Sequence, residues 1–474
     1  MGCSMNAIYK GIFIAVLLLT STSAFGIFVK SVNAGDNQGL IDAIEAANQS
    51  GEAENQIIIV ADADGKTEFM FTEAYQGTKN ALPVFKTSIA FLTNLPNSQA
   101  IRFTGSGERD FRLVTVEGDG TAAFYRPAII EKFGIFGESG GAILATDNAQ
   151  VFAAECIFDD NFTNMNGGAV ALTESSEGFF RASIFENNRA TNVGGAISVE
   201  QQASGKVEIG PWKVSAGKKL TSIFRDNEAG VFGCDLNVQT TGAFSVADTL
   251  FQGGNCPNVL IENPVGKMKV RGSTLIHTGN AIDSTDEVRL FANLFQSEDT
   301  PPGARAGSRT ESIPTTEDVC SDFGSGAFVS DGHNISTEDS CSLTQDSDQP
   351  NTDPMISFNE DGLPILDPGS PAIDAGTAGV LADSAEDPAV LPCGYVDING
   401  VARPQDGNGD GLFECDSGAS EFIGSGMTQA GHCGAFYNAL RNGEGNYVEI
   451  LSDELAVVYT FSFRPDGSGP AWFI

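Results

Sequence analysis

Gly140-Gly141-Ala142-Ile143, Gly167-Gly168-Ala169-Val170 and Gly194-Gly195-Ala196-Ile197 recur at a step of 27 residues. A second tetrapeptide keeps phase with them: Phe158-Asp159-Asp160-Asn161, Phe185-Glu186-Asn187-Asn188 and Phe224-Arg225-Asp226-Asn227. Degenerate copies follow at Phe251 to Asn255, at Ile276 to Asn280 and at Phe295, so the successive steps are 27, 39, 27, 25 and 19 residues. Between the motifs lie short alternating apolar runs such as Gln150-Val151-Phe152-Ala153-Ala154 and Gly178-Phe179-Phe180-Arg181-Ala182-Ser183-Ile184-Phe185. Their period of two is that of strands, and the absence of helical periodicity excludes helical repeats. One strand-rich unit cannot bury its own face, so the units must stack. A β-propeller is the rival, but its blades need ~40 residues or more and four strands each. The expected fold is all-β, a parallel β-helix (solenoid) of about ten coils.

The residue types fit such a stack. Phe158, Phe185 and Phe224 are expected to form an interior aromatic ladder, and Asn161, Asn188 and Asn227 to bond to one another at a corner. Gly-Gly supplies positive φ and close backbone approach, and alanine fits where the coil is narrow. The extra residues Gln201 to Leu220 are expected to project as a lengthened turn. Open ends must be capped. At the N-terminal end, Phe25 to Val32 reads as a strand, and Leu40, Ile41, Ile44 and Ala47 form one face of a helix over Leu40 to Asn48.

The chain has 474 residues, with 26 Lys+Arg against 62 Asp+Glu and a formal charge of −36. Such a surface repels phosphate backbones and anionic lipid, which excludes nucleic acid as a partner. Phe (33) far outnumbers Tyr (7) and Trp (2), as a buried stacking role requires, and three histidines (His277, His333, His432) disfavour histidine-rich metal catalysis. Met1 to Ala24 reads as a secretory signal: Lys10, an apolar run Gly11 to Leu19, then Thr22-Ser23-Ala24 as a cleavage site. An uncleaved anchor is the alternative. Its removal takes Cys3 and leaves Cys156, Cys234, Cys256, Cys320, Cys341, Cys393, Cys415 and Cys433, an even set in an exported chain. The local pairs Cys234/Cys256, Cys320/Cys341 and Cys393/Cys415 each close a loop of similar length, although sequence leaves the connectivity open.

The repeat resembles that of the polymorphic outer membrane proteins, and the chain looks like a bacterial exported right-handed parallel β-helix protein. Ile27 to Val32 through Gly39 to Asn48 is similar to the N-terminal element of secreted proteins named for a CSLREA motif, with that motif itself degenerate here. Asp331-Gly332-His333-Asn334-Ile335, Gly369 to Gly376, Gly400-Val401-Ala402-Arg403-Pro404 and Cys415 to Phe422 look like the choice-of-anchor tail of the same proteins. The resemblance spans roughly residues 25–424. It implies a secreted or outer-surface, adhesin-like protein whose partner is an extracellular glycan or surface protein. Polymorphic outer membrane proteins end in a barrel of at least ~8 strands of ~10 residues. The 50 residues after Gly424 are too few for it. Gly431 to Ile474 instead resembles a small β module of two or three hairpin strands found at the C-termini of bacterial secreted proteins.

The sharpest ligand motif is Asp406-Gly407-Asn408-Gly409-Asp410-Gly411, which matches the first half of a calcium loop. Glu414 and Asp416 could add carboxylates, but Ser417 stands at position twelve. The expected set is Asp406, Asn408, Asp410, Glu414 and Asp416 around a structural Ca²⁺; a plain Asp/Gly turn is the alternative. Parallel β-helices also carry pectate lyases and glycoside hydrolases, which need clustered carboxylates on one sheet face. Asp159, Asp160, Glu186 and Asp226 align across coils, with Arg181, Arg225 and Arg271 nearby in the repeat. They occupy the variable positions of the Phe-x-x-Asn motif, where solvated corners are expected, and fold analogy does not license an enzyme. His333 is expected to be structural.

The expected organisation is a signal peptide (1–24), cap and first coils (25–130), repeat coils (131–300), C-terminal coils and tail (301–424) and a small β module (425–474). The expected role is a monomeric, non-enzymatic, adhesin-like binding rod, the alternatives being a polysaccharide lyase or hydrolase and a structural spacer.

Overall fold

In the computed structural model, residues 27–62, 64–93, 99–108, 110–125, 128–203, 205–211, 221–240, 242–253, 259–261, 268–277, 281–284, 287–297, 320–322, 328–377, 396–423, 434–437, 445–452, 455–463 and 470–473 are described. The expected signal segment, Cys256, Cys393, Cys433, His432 and residues 212–220 lie outside them; of the turn Gln201 to Leu220 expected to project, Val207–Gly210 is instead a strand paired in parallel with residues 178–181.

The repeats stack as a parallel β-helix. One coil runs through Ile143–Ala145, Gln150–Ala154, Ile157–Asp159 and Phe162–Thr163. Each of these strands pairs in parallel with its counterpart one coil on: Ile143 with Val170, Val151 with Gly178, Phe158 with Phe185, Phe162 with Arg189. Three long sheets result, of 11, 10 and 8 strands, with a 4-stranded corner sheet beside them. They are termed here the first sheet (holding Gln150–Ala154), the second (Ile157–Asp159) and the third (Ile143–Ala145).

Alternation along each strand sends one set of side chains into a continuous core from Val32 to Leu343. The expected phenylalanine ladder is present. Phe158 and Phe185 stack at 4.6 Å and 2°, Phe185 and Phe224 at 4.8 Å and 4°, and Phe224 and Phe251 at 5.0 Å and 16°. These spacings are the coil repeat itself. The next rung is Leu275, which faces Phe251 and Phe295 in register. The sequence reading placed Ile276 there; a one-residue shift turns it to the outer face, where the tail covers it.

The asparagines form the corner ladder. Asn161 Nδ2 donates to Asn188 Oδ1 at 3.0 Å, and Asn188 Nδ2 to Asn227 Oδ1 at 3.0 Å. The same amides also reach the carbonyls of Ile130 and Phe158. Asn227 Nδ2 ends the series on the carboxylate of Asp235, at 2.8 Å. A second ladder, absent from the sequence reading, lines the corner between the first and second sheets. There the amides of Cys156, Ser183, Thr249, Ser273 and Asn293 donate to Ser183, Ser222, Ser273, Asn293 and Asn334 side chains respectively.

The Gly-Gly pairs divide two tasks. The first glycine has positive φ (76°, 70° and 67° at Gly140, Gly167 and Gly194). The second permits contact: a Cβ on Gly168 would lie 2.0 Å from the Gly195 carbonyl oxygen and 2.6 Å from Arg189 N. Gly168→Ala is therefore expected to cost about 1–3 kcal/mol, because neither backbone neighbour can yield alone. Chemical denaturation measures it; an unchanged midpoint contradicts the close approach.

At the N-terminal end, the strand Phe28–Asn33 leads into a helix, Asn37–Gln49. Asp36 caps it by accepting from Gly39 N at 2.8 Å. Leu40, Ala43, Ile44 and Ala47 are buried against the first coils. Asp331 to Ile335, read from sequence as part of the tail, instead belong to the last coil, in the strands Phe328–Gly332 and Ile335–Ser336. Beyond it, Ile356–Phe358 and Pro364–Leu366 form an antiparallel pair. The C-terminal residues form a four-stranded antiparallel sheet, Gly434–Tyr437, Gly445–Ser452, Leu455–Phe463 and Pro470–Phe473, one strand more than the sequence suggested.

Candidate functional site

Outward positions of the second sheet form two columns. One is aliphatic over most of its length: Ile129, Ile157, Ile184, Ile223 and Leu250 stand in register. The other holds Glu131, Asp159, Glu186 and Arg225. The first variable position of Phe-x-x-Asn is thus a half-exposed strand site, not a corner; the corner is the second position, with φ of 50°, 56° and 53° at Asp160, Asn187 and Asp226. Each carboxylate of the column is tied down. Arg102 Nη1 lies 2.6 Å from Glu131 Oε2, Asn187 Nδ2 2.9 Å from Asp159 Oδ1, and Arg225 Nε 2.7 Å from Glu186 Oε2. Arg181 and Arg271 are not part of this row; they lie on the first sheet.

The tail covers the lower half of the aliphatic column. Leu363, Ile398 and Ala419 pack on Ile223 and Leu250, and on Ile276 of the neighbouring column. Leu366 and Ala372 pack on Leu294 and Ile335. Backbone bonds fix the position: Gly418 N donates to Ala292 O at 2.8 Å and Ala419 N to Thr274 Oγ1 at 2.9 Å. His333 joins the same seam, with Nδ1 2.6 Å from Ala375 O and its ring edge-on to Phe291.

Inside the seam lies a buried charge cluster. Arg403 Nε donates to Glu421 Oε2 at 2.8 Å, Nη1 to Gly418 O at 3.0 Å and Nη2 to Asp416 O at 2.6 Å. Asp248, from the coils, approaches Nη1 at 3.9 Å. Asp397 accepts from Glu421 N at 2.8 Å and from Val401 N at 2.6 Å. One guanidinium thus serves four buried carboxylates: Asp248, Asp397, Asp416 and Glu421. Burial works against the Arg403 charge, but the charges of Glu421, Asp248, Asp416 and Asp397 outweigh it and raise its proton affinity. Burial, and then the Glu421 charge, push Asp416 up to about 8. Burial also raises Glu421, Asp397 and, under the Asn ladder, Asp235.

Raised carboxyl pKa values bind protons to the folded state, so the stability they contribute is full below the unfolded carboxylate range. It is lost as pH rises through the folded values, to about 8 for Asp416. The thermal midpoint is expected to be higher at pH 5 than at pH 9, and Asp416→Asn is expected to flatten that slope. A midpoint that climbs with pH contradicts the cluster.

In the expected calcium loop the side-chain oxygens accept from the loop's own amides, and the Asp406 and Asp410 charges both act on Asp374. Asp406 accepts from Gly409 N at 2.8 Å and Gly411 N at 3.0 Å, Asn408 from Asp410 N at 2.9 Å, and Asp410 from Leu412 N at 2.8 Å. Glu414 N bonds back to Gln405 O at 3.2 Å. Asp416 faces the buried cluster and accepts from Asp374 N at 2.7 Å and from Phe422 N. Among the described residues no three His, Cys, Asp or Glu side chains converge as a metal set.

Cys320 and Cys341 are joined by a disulfide. Cys234 and Cys415 are each disulfide-bonded too, though not to one another. Cys156 is a free, buried thiol, and burial pushes it up to about 12, which keeps it protonated and inert. Sequence reasoning missed the Arg403 cluster; its signal is an arginine among acids within an apolar tail.

A family model described as the Chlamydia polymorphic membrane protein repeat matches residues 182–200, which contain Phe185, Asn188 and Gly194-Gly195-Ala196-Ile197. No curated protein and no solved structure matches the chain.

Proposed function

We propose that this parallel β-helix repeat protein, which carries a polymorphic-membrane-protein-like repeat, acts at the cell surface or outside the cell as a non-enzymatic, adhesin-like binding rod. One observation carries this reading: the matched repeat is the coil of a solenoid whose aligned outer carboxylates are held by arginines or amides. Long sheet faces offer area for a large ligand without a catalytic cleft. No helix among the described residues is long and apolar enough to cross a membrane.

The test is adhesion. Beads coated with the full chain are expected to attach to cells bearing surface glycans and proteins, and to be displaced by soluble chain. Beads that attach no better than uncoated ones remove the rod reading. Ca²⁺ at 406–411 would use the lone pairs that the Asp406, Asn408 and Asp410 oxygens keep beside their bonds to the loop amides. A thermal midpoint unchanged by a chelator would remove calcium from the account.

A further inference from the structure

The outer face of the first sheet reverses the charge of the molecule. Between the strands Glu177–Arg181 and Phe328–Gly332 its described outward positions carry five cations, Arg181, Lys206, Lys269, Arg271 and Arg289, against four carboxylates, Glu177, Glu208, Glu287 and Asp331. The chain as a whole holds 26 Lys+Arg against 62 Asp+Glu.

Register places these cations in two groups. Arg181 and Lys206 both ion-pair with Glu208, and Glu177 stands opposite Lys206 in register. Further along, Lys269 is exposed and Arg271 half-exposed, and neither is ion-paired among the described residues. Between the groups the column from Arg181 passes through Gly210 and Ala247 to Arg271. The neighbouring column passes from Glu208 through Ser245 to Lys269. Small residues thus floor a trough between the ion-paired Arg181 and the open Arg271, about 14 Å apart, three ladder steps of about 4.8 Å. Upstream in the Glu208 column stand Phe179 and Phe152, half-buried on the outer face, with Tyr125 5.0 Å from Phe152 between ring centroids.

We infer that this face binds an anionic polysaccharide, carboxylated or sulfated, laid along the solenoid axis over Phe179, the trough and the Lys269/Arg271 pair. The inference rests on the reading of the chain as a binding rod. Aromatic faces take the apolar C–H faces of pyranose rings. Arg and Lys take carboxylate or sulfate groups through charge-assisted hydrogen bonds. The charge elsewhere repels a polyanion, so binding is confined to this strip.

The full chain is titrated against immobilised heparin, polygalacturonate and neutral dextran at two salt concentrations. Retention of one or both polyanions, weakened by salt, is expected, with none on dextran. Lys269→Glu with Arg271→Glu is expected to lower affinity at least about tenfold. Lys30→Glu with Lys66→Glu, equal in charge change but remote, leaves it unchanged. Phe179→Ala weakens retention while keeping its salt dependence. A wild-type chain that retains neither polyanion overturns the site, as does equal loss in the two charge-reversal pairs. Cell attachment that persists in the Lys269→Glu, Arg271→Glu chain also overturns it, while leaving the rod reading standing.

Discussion

Replacing Phe185 with alanine is expected to cost about 3–5 kcal/mol, the range for deleting a fully enclosed aromatic ring. Phe185 is 0 % exposed, sandwiched between Phe158 and Phe224, with Phe180 edge-on at 5.5 Å. Its loss opens a cavity that parallel sheets cannot close, because their coil spacing is fixed by backbone bonds on all sides. Phe185→Leu keeps much of the volume and is expected to lose less than half as much. Denaturant unfolding of the chain measures both. Equal midpoints for the alanine variant and wild type contradict an interior ladder.

Arg403→Ala is the second large effect, and it acts on one layer. Removing the guanidinium strands buried carboxylates and is expected to cost about 3–5 kcal/mol. The side chain is 0 % exposed, so solvent offers the acids no substitute. The coils keep their own core, which does not include the tail residues of the seam. The expected result is therefore release of the tail, not global unfolding. Limited proteolysis should cut the variant between Ile356 and Phe422 and leave the coils intact, and the uncovered Ile223, Leu250 and Ile276 should bind a hydrophobic dye. An unchanged digestion pattern contradicts the role given to Arg403.

The coil was legible in sequence because period-two strands and a fixed step leave one way to bury both motifs. Phe158, Phe185 and Phe224 recur in type, and so do Asn161, Asn188 and Asn227, because identical positions must stack on one another. The second ladder was not legible, since its positions change from Cys156 to Ser183, Ser222, Thr249, Ser273 and Asn293. Any small donor-acceptor side chain serves there, so no single letter repeats. The shift from Ile276 to Leu275 escaped for a similar reason: both residues are aliphatic, and the tail that buries Ile276 lies far along the chain. Arg403, Glu421 and Asp248 meet only through tertiary docking, which no local pattern encodes. The cationic strip was equally hidden. Its members sit one or two to a coil, and a net charge of −36 masks them until register aligns them.

The central claim is that the rod binds without cleaving. The most direct measurement incubates the full chain, with calcium present, with acidic and neutral polysaccharides and follows retention, new reducing ends and unsaturated products together. The account predicts retention of one or more acidic members with no product formed. Release of reducing ends or unsaturated sugars from any member would contradict it, and would return attention to the carboxylate column of Glu131, Asp159 and Glu186.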